Sequence, residues 1–280
     1  MKKLYLAISD VSGNVWLAKV NKHTGIATLL FKILTPPTNF VYNVYGIAYN
    51  LKKDTLYLSI QIANVTPSPP TWGLFAIKKF RRYLHHCKYI LAEKILASDS
   101  VLVRGIAYKD NIIYGITNNN VVYLVNVNSP DLNNSITLAS TSPNFGNPIN
   151  IAVNNNKLYT FETPNGVTTV FTFDLNGMNG DNKQIIGYPN NYNYQYSPVG
   201  VHTITTQPSM DNDPSDDTIY GIYTTVSTTD LMFLFKYNKE SPFVITQISD
   251  SPVISDVRFN GMVGALTYVI SEHHESCNHC

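Results

Sequence analysis

Four groups of residues in this chain are of types that can do chemistry. One is terminal: Cys277-Asn278-His279-Cys280, preceded by His273 and His274. Two thiolates clamp one side of a zinc ion and imidazole completes the tetrahedron, so Cys277, His279 and Cys280 are the candidate ligands. Another is the acidic stretch Asp211-Asn212-Asp213-Pro214-Ser215-Asp216-Asp217. Hard cations such as Ca²⁺ take clustered carboxylates, which makes Asp211 and Asp213 candidates, although the sharp-turn glycine and the distant glutamate of a full calcium loop are missing. A third group is cationic: Arg104, Arg258 and His202 can hold an anion or assist a hydrolase or lyase if they converge. The fourth is aromatic. Trp72 follows a proline-rich stretch, and Tyr192, Tyr194 and Tyr196 alternate along the chain; such amphipathic rings anchor partners at interfaces. Each group also has a plainer reading: a free tail, an acidic turn, a histidine satisfied in the core, arginines paired locally, and rings packed on their own sheet.

What positions these groups is a repeated phrase. Gly46-Ile47-Ala48-Tyr49 is followed by Thr55-Leu56-Tyr57-Leu58-Ser59. Gly105-Ile106-Ala107-Tyr108 is followed by Ile112-Ile113-Tyr114-Gly115-Ile116, and Asn150-Ile151-Ala152-Val153 by Lys157-Leu158-Tyr159-Thr160-Phe161. A looser copy begins at Gly200 and continues at Thr218. The copies lie roughly 45 to 60 residues apart, the range of propellers, solenoids and arrays. Within each copy a short Gly/Ala strand leads into a strand of period-two alternation around a tyrosine. Third runs follow at 73–77, 121–125, 170–174 and 232–237, and fourth runs at 89–96, 135–139, 183–187 and 243–248. Four antiparallel strands per unit is the pattern of a propeller blade. Small residues on the first strand let neighbouring blades approach near the axis.

The chain is therefore identified as resembling β-propellers in general, over nearly its whole length. The expectation is an all-β fold: one propeller over residues 1–271, with five blades or alternatively six, and a Cys/His tail at 272–280. The N-terminal runs 4–9, 14–20 and 26–33 lack a Gly-Ile-Ala-Tyr strand; 256–259 can supply it, followed by the Asn260-Gly261 turn. One blade would then be closed by strands from both termini, which removes exposed strand edges. Ser9-Asp10-Val11-Ser12-Gly13-Asn14-Val15-Trp16 resembles the Asp-box turn of sialidase-type propellers, with Ser9, Gly13 and Trp16 matching and Val11 where the Asp belongs. That box is a structural turn and implies no glycosidase activity.

Composition narrows the function classes. Net charge is +1 and only 14% of residues are charged, so no global field favours nucleic acid or an anionic membrane. The basic segment 78–88 interleaves cations with aromatics, but without a matching basic surface it reads as a solvated hairpin with a short helical turn. No apolar run is long enough to span a bilayer. The first ten residues, interrupted by Asp10, read as a strand and not as a signal peptide, giving an intracellular expectation. The Tyr, Ile and Asn usage resembles that of AT-rich genomes, including large viruses, which raises a virion or assembly role. No nucleophile elbow, phosphate-cradling loop or metalloprotease helix is present. The leading expectation is a non-enzymatic scaffold that binds a protein partner through its loops.

Overall fold

The structure is a computed structural model that describes residues 2–35, 40–64, 71–84, 87–117, 119–139, 149–154, 156–162, 169–175, 181–184, 198–206, 218–225, 232–238, 245–248, 251–259 and 264–270. These residues form β-strands and two short 3₁₀ turns, and the chain is an all-β propeller. The first sheet contains β1 (Lys2–Ser9), β2 (Val15–Val20) and β3 (Ala27–Leu34). The second holds β4 (Phe40–Asn50), β5 (Thr55–Asn64), β6 (Thr71–Lys78) and, after β7 (Tyr89–Leu91), β8 (Glu93–Ser98). The third is β9 (Ile106–Lys109), β10 (Ile112–Ile116), β11 (Val121–Asn126) and β12 (Ser135–Thr137). The fourth is β13 (Ala152–Asn154), β14 (Lys157–Glu162), β15 (Thr169–Asp174) and β16 (Asp181–Gln184). The fifth is β17 (Pro198–Thr206), β18 (Thr218–Thr225), β19 (Met232–Asn238) and β20 (Ile245–Gln247). The last strand, β21 (Gly264–Ile270), returns to the first sheet and pairs antiparallel with β1.

Four of these sheets are the plain four-stranded antiparallel blade that the repeat predicts. The expectation of five or six such blades is not met in that form. The remaining sheet has five strands, in the order β21-β1-β2-β3-β7, and β7 lies parallel to β3. Among the described residues there is no sixth sheet. Residues 89–96, read as one strand, are two. Tyr89–Leu91 crosses to the outer edge of the first sheet, and Glu93–Ser98 completes the second. Ala92 at the crossing is fully buried and its N–H donates to Leu34 O at 2.9 Å, so the edge of β3 is covered from the neighbouring blade. The C-terminal closure also differs in detail. Residues 257–259 form a 3₁₀ turn, and it is β21 that joins β1.

Alternation decides which side chains fill the seams. Leu56, Leu58 and Ile60 of β5 pack with Tyr5, Ala7, Leu17 and Phe31 of the first sheet. On the other face of the second sheet, Tyr57, Trp72 and Leu74 pack with Val103, Ile106 and Ile113. Tyr114, Ile116 and Val122 meet Leu158, Phe171 and Phe173. Phe161 meets Phe235 at a tilt and Tyr237 edge to face, at centroid distances of 5.8 and 5.4 Å. Tyr220, Ile222 and Leu234 then meet Leu4, Leu6 and Ile8, so the last sheet packs back on the first. The first strands of the sheets lie side by side in the same cyclic order: β21, β4, β9, β13, β17 and β21 again.

The inner strands leave no room for side chains at two positions. A Cβ on Gly46 would lie 2.7 Å from both Arg104 O and Ile106 N, and one on Gly105 would lie 2.9 Å from Asn150 Cα. These obstacles are backbone, so neither can swing aside. Gly46→Ala should therefore destabilise the fold by about 1–3 kcal/mol, as overpacking does in a dense interior. Urea unfolding followed by tryptophan fluorescence measures it; a midpoint equal to that of the wild type would show that the seam can open.

Candidate functional site

Of the described candidate residues, Arg258 lies against the turn after β1, while Arg104 lies just before β9. Asp10 organises the first corner. Its side chain is nearly fully buried and its carboxylate accepts from Ser12 N and Asn14 N, each at 2.9 Å, and from Trp16 Nε1 at 2.9 Å. Asn14 Nδ2 donates to both carboxylate oxygens, at 3.1 and 2.9 Å. Gly13 takes φ 75°, the left-handed conformation that glycine adopts freely and that closes the turn. The resemblance to an Asp box placed the carboxylate at position 11. The structure places it at Asp10, one residue earlier, and leaves Val11 61% exposed at the tip.

The corner is fastened to two other elements. Val11 N donates to Arg258 O at 2.9 Å, and Tyr42 N of β4 donates to Gly13 O at 3.2 Å. Ser9 Oγ accepts from Val44 N at 3.1 Å. Arg258 lies with its guanidinium 5.3 Å from the Trp16 ring centroid and 5.6 Å from that of Phe259. Its Nε and Nη2 reach the Asp256 carboxylate, the shortest contact being 2.7 Å. The hydrogen bonds from Arg258 hold the Asp256 carboxyl below the usual carboxylate range. Arg258 is thus paired locally, in line with the plainer reading of its role.

Arg104 sits at the seam between the second and third sheets. Its backbone N–H donates to Ile116 O at 2.7 Å, and its guanidinium carbon is 5.6 Å from the Tyr45 ring centroid. Tyr45 OH donates to Gln61 Oε1 at 2.8 Å. Arg104 Nε is buried and has no hydrogen-bond partner. Among the described residues the two arginines share no partner. His202 lies on β17, where the register with β18 shifts between Val201 and Thr203; its side chain lies outside the described residues.

Trp72 is not a surface anchor. It is the second residue of β6 and only 1% exposed. Its Nε1 donates to Ser59 Oγ at 2.8 Å, and Ser59 Oγ donates to Val103 O at 2.6 Å, tying the second sheet to the segment leading into the third. Ser59, unremarkable in the sequence, supplies the hydrogen-bonding acceptor that lets an indole be buried. The basic segment after β6 is the expected short helical turn, Phe80–Leu84, with Phe80 fully buried and Arg81 Nε 3.1 Å from Asp54 Oδ1. Tyr192, Tyr194, Tyr196, Asp211, Asp213, Cys277, His279 and Cys280 lie outside the described residues. Among the described residues no group of three His, Cys, Asp or Glu side chains is placed to hold a metal, and no helix is long and apolar enough to cross a membrane.

No family model matches the chain, and no curated protein matches it. Solved structures match in shape. A chain of the nidogen/laminin complex is 15% identical with a TM-score of 0.47, over 88% of this chain and 98% of that one. Glutaminyl cyclase from Myxococcus xanthus is 9% identical with a TM-score of 0.47, over 77% and 80%. The WD40 domain of Pan2 from Neurospora crassa is 10% identical with a TM-score of 0.40, over 88% and 79%.

Burial raises the Asp10 carboxyl, but the hydrogen bonds from Trp16, Asn14 and Ser12 outweigh it and hold the group below the ordinary carboxylate range. A depressed folded value stabilises the native state above the unfolded pKa of about 3.9 and is lost as pH falls through the folded value. Asp10→Asn turns an amide N–H₂ towards donors, and it should cost about 1–3 kcal/mol at neutral pH. It should also remove part of the fall in stability below about pH 4. Denaturation midpoints for both proteins across that window check both statements.

Proposed function

We propose that this chain is a non-enzymatic docking module, a propeller of five blades in which the five-stranded sheet closes the ring, and that its partner is a protein. The observation that carries the reading is the Asp10 corner. It presents an exposed apolar residue, Val11, beside an exposed guanidinium, Arg258, whose geometry is set before any partner arrives. Arginine and aromatic groups held in place by their own scaffold bind with little ordering cost, which is why such residues dominate interface energetics. The corner is held by Asp10 from below, by Trp16 and Phe259 on its flank, and by β4 through Tyr42 and Val44. A turn so heavily braced and yet exposed at its tip suits recognition on a rigid frame. On sequence grounds alone, Tyr192, Tyr194, Tyr196 and His202 are assigned to the same binding role. Zinc at Cys277, His279 and Cys280, and calcium at Asp211 and Asp213, stay as proposals of the same kind.

The test is affinity capture from the native source with the wild-type chain and with Val11→Asp/Arg258→Glu, whose folding is checked by circular dichroism. The expected outcome is a protein retained by the wild type and released at least about tenfold by the double variant, as the loss of one hot spot produces. Equal retention by both chains would place the docking surface elsewhere.

A further inference from the structure

The outer edge of the five-stranded sheet is built differently from its neighbours. β7 ends that sheet, and no described strand lies on its far side. Lys32 N donates to Lys88 O at 3.2 Å and Ala92 N donates to Leu34 O at 2.9 Å, and the register between them pairs Ile90 with Ile33. Residues 88, 90 and 92 thus turn their backbone polar groups towards β3. Successive residues of a strand turn these groups to opposite edges, so those of Tyr89 and Leu91 face outward. Among the described residues no backbone group meets them there. Their side chains are exposed as well, at 65% and 66%, while Ile90 between them is buried. The other large apolar side chains exposed among the described residues are Val11 and Ile26. The edge strand β12 exposes Ser135 and Thr137 at the equivalent alternation. Proteins guard free edges with polar or charged side chains, because an unguarded edge pairs with another chain. β7 carries a tyrosine and a leucine in that place.

We infer that the outer edge of β7 takes an extended, acidic segment of a partner protein as an added strand. A free edge selects an extended backbone through its unpaired N–H and C=O groups. Side chains at every second position of the added strand then lie beside Tyr89 and Leu91, where apolar or β-branched groups pack best. Charge sets the rest. Exposed Lys88 precedes β7, exposed Lys94 follows it, and half-buried Lys32 stands opposite Tyr89. Among the described residues none of the three has a carboxylate partner, whereas Glu93 is engaged by Lys78 at 2.8 Å. The fitting segment is therefore acidic at its ends and apolar in between. A second copy of this chain fits less well: a stable dimer buries on the order of 1,200 Å² or more, and a strand of three residues offers a small part of that. The inference extends the docking reading to a separate surface and does not rest on the Asp10 corner.

The test uses the chain alone, so its outcome is independent of the capture experiment. The peptide acetyl-Glu-Val-Thr-Val-Glu-amide is titrated into the protein and the backbone amides are followed by proton–nitrogen NMR and hydrogen exchange. The expected result is a saturable shift of the Tyr89 and Leu91 amides at submillimolar to millimolar peptide, with exchange slowed at those two and unchanged at Ile90. N-methylation of the three central peptide amides, which removes the donors of the added strand, should weaken binding at least about tenfold. Tyr89→Ser/Leu91→Thr, which copies the edge of β12, should weaken it about as much, and Ile26→Ser should leave it unchanged. Lys88→Gln/Lys94→Gln should weaken it severalfold at low salt and less at high salt. No saturable shift at Tyr89 and Leu91, or equal binding of the N-methylated peptide, overturns strand addition. Equal binding of acetyl-Gln-Val-Thr-Val-Gln-amide overturns the acidic character of the partner. Shifts of the same two amides with protein concentration alone, matched by dimers in sedimentation, give the edge to a second copy and overturn the peptide as its occupant. If the double variant at 89 and 91 does not fold, the wild-type chain with the two forms of the peptide still decides.

Discussion

The inner strands of this molecule meet backbone to backbone, and the rest of the architecture is arranged to permit it. At Gly46 the carbonyl of Arg104 and the amide of Ile106 occupy the space where a side chain would stand, and at Gly105 the Cα of Asn150 does the same. Sheets can converge on an axis only if their first strands are thin. Everything outward can then be broad, which is where Trp72, Phe75, Phe161, Phe171, Phe173, Phe233 and Phe235 are fully buried. The third position of this series carries Asn150, and it shows how the constraint is met by other means. In the third sheet the backbone of Arg104 and Gly105 pairs with Ile116, through Arg104 N to Ile116 O and Ile116 N to Gly105 O. In the fourth, the Asn150 side-chain amide makes the same pair of bonds to Phe161, at 2.8 and 2.9 Å. The amide imitates a strand, so its dipoles are satisfied in a place that has no water.

A ring of sheets must also be fastened where the chain begins and ends, and the five-stranded sheet concentrates the fastenings. β21 holds the inner edge of β1 over seven residue pairs, from Lys2↔Ile270 to Ile8↔Gly264. β7 covers β3 from outside. The Asp10 corner joins the same sheet to β4 and to the segment at 256–259. Three independent connections thus hold the sheet in which the two ends of the chain meet. The backbones of Val11 and Arg258 are tied together in this arrangement, because the corner they occupy is itself one of the connections.

Much of this was legible from residue types. The repeated tyrosine strand, the glycines of the inner positions and the pairing of the two ends all follow from periodicity and from the physical need for thin strands near an axis. Several of the features that escaped depend on a neighbour distant in sequence. Trp72 reads as a loop aromatic because prolines precede it, and only Ser59 and Val103 make it a core residue. Residues 89–96 read as one strand because nothing local says that Ala92 will bond to Leu34 and divide it. Asp10 differs, because its partners are local: the motif has its carboxylate at the next position, although a turn needs only an acceptor facing the amides of Ser12 and Asn14. Arg258 was placed on an inner strand, yet the 3₁₀ turn of Val257–Phe259 suits a segment whose carbonyl must meet Val11.

With so few charges in the chain, the fate of each one carries information. Exposed pairs such as Lys78 with Glu93 contribute little to stability, since water screens them. The arginines are used differently. Arg81 fixes the 3₁₀ turn after β6 by meeting Asp54, and Arg258 is set upright by Asp256 and two rings. Each is a cation matched to a carboxylate that the fold itself provides. Arg104 is given an aromatic face instead, and a ring attracts a guanidinium without accepting its in-plane hydrogens. Those hydrogens point along the plane of the group, where the Nε–H finds no acceptor.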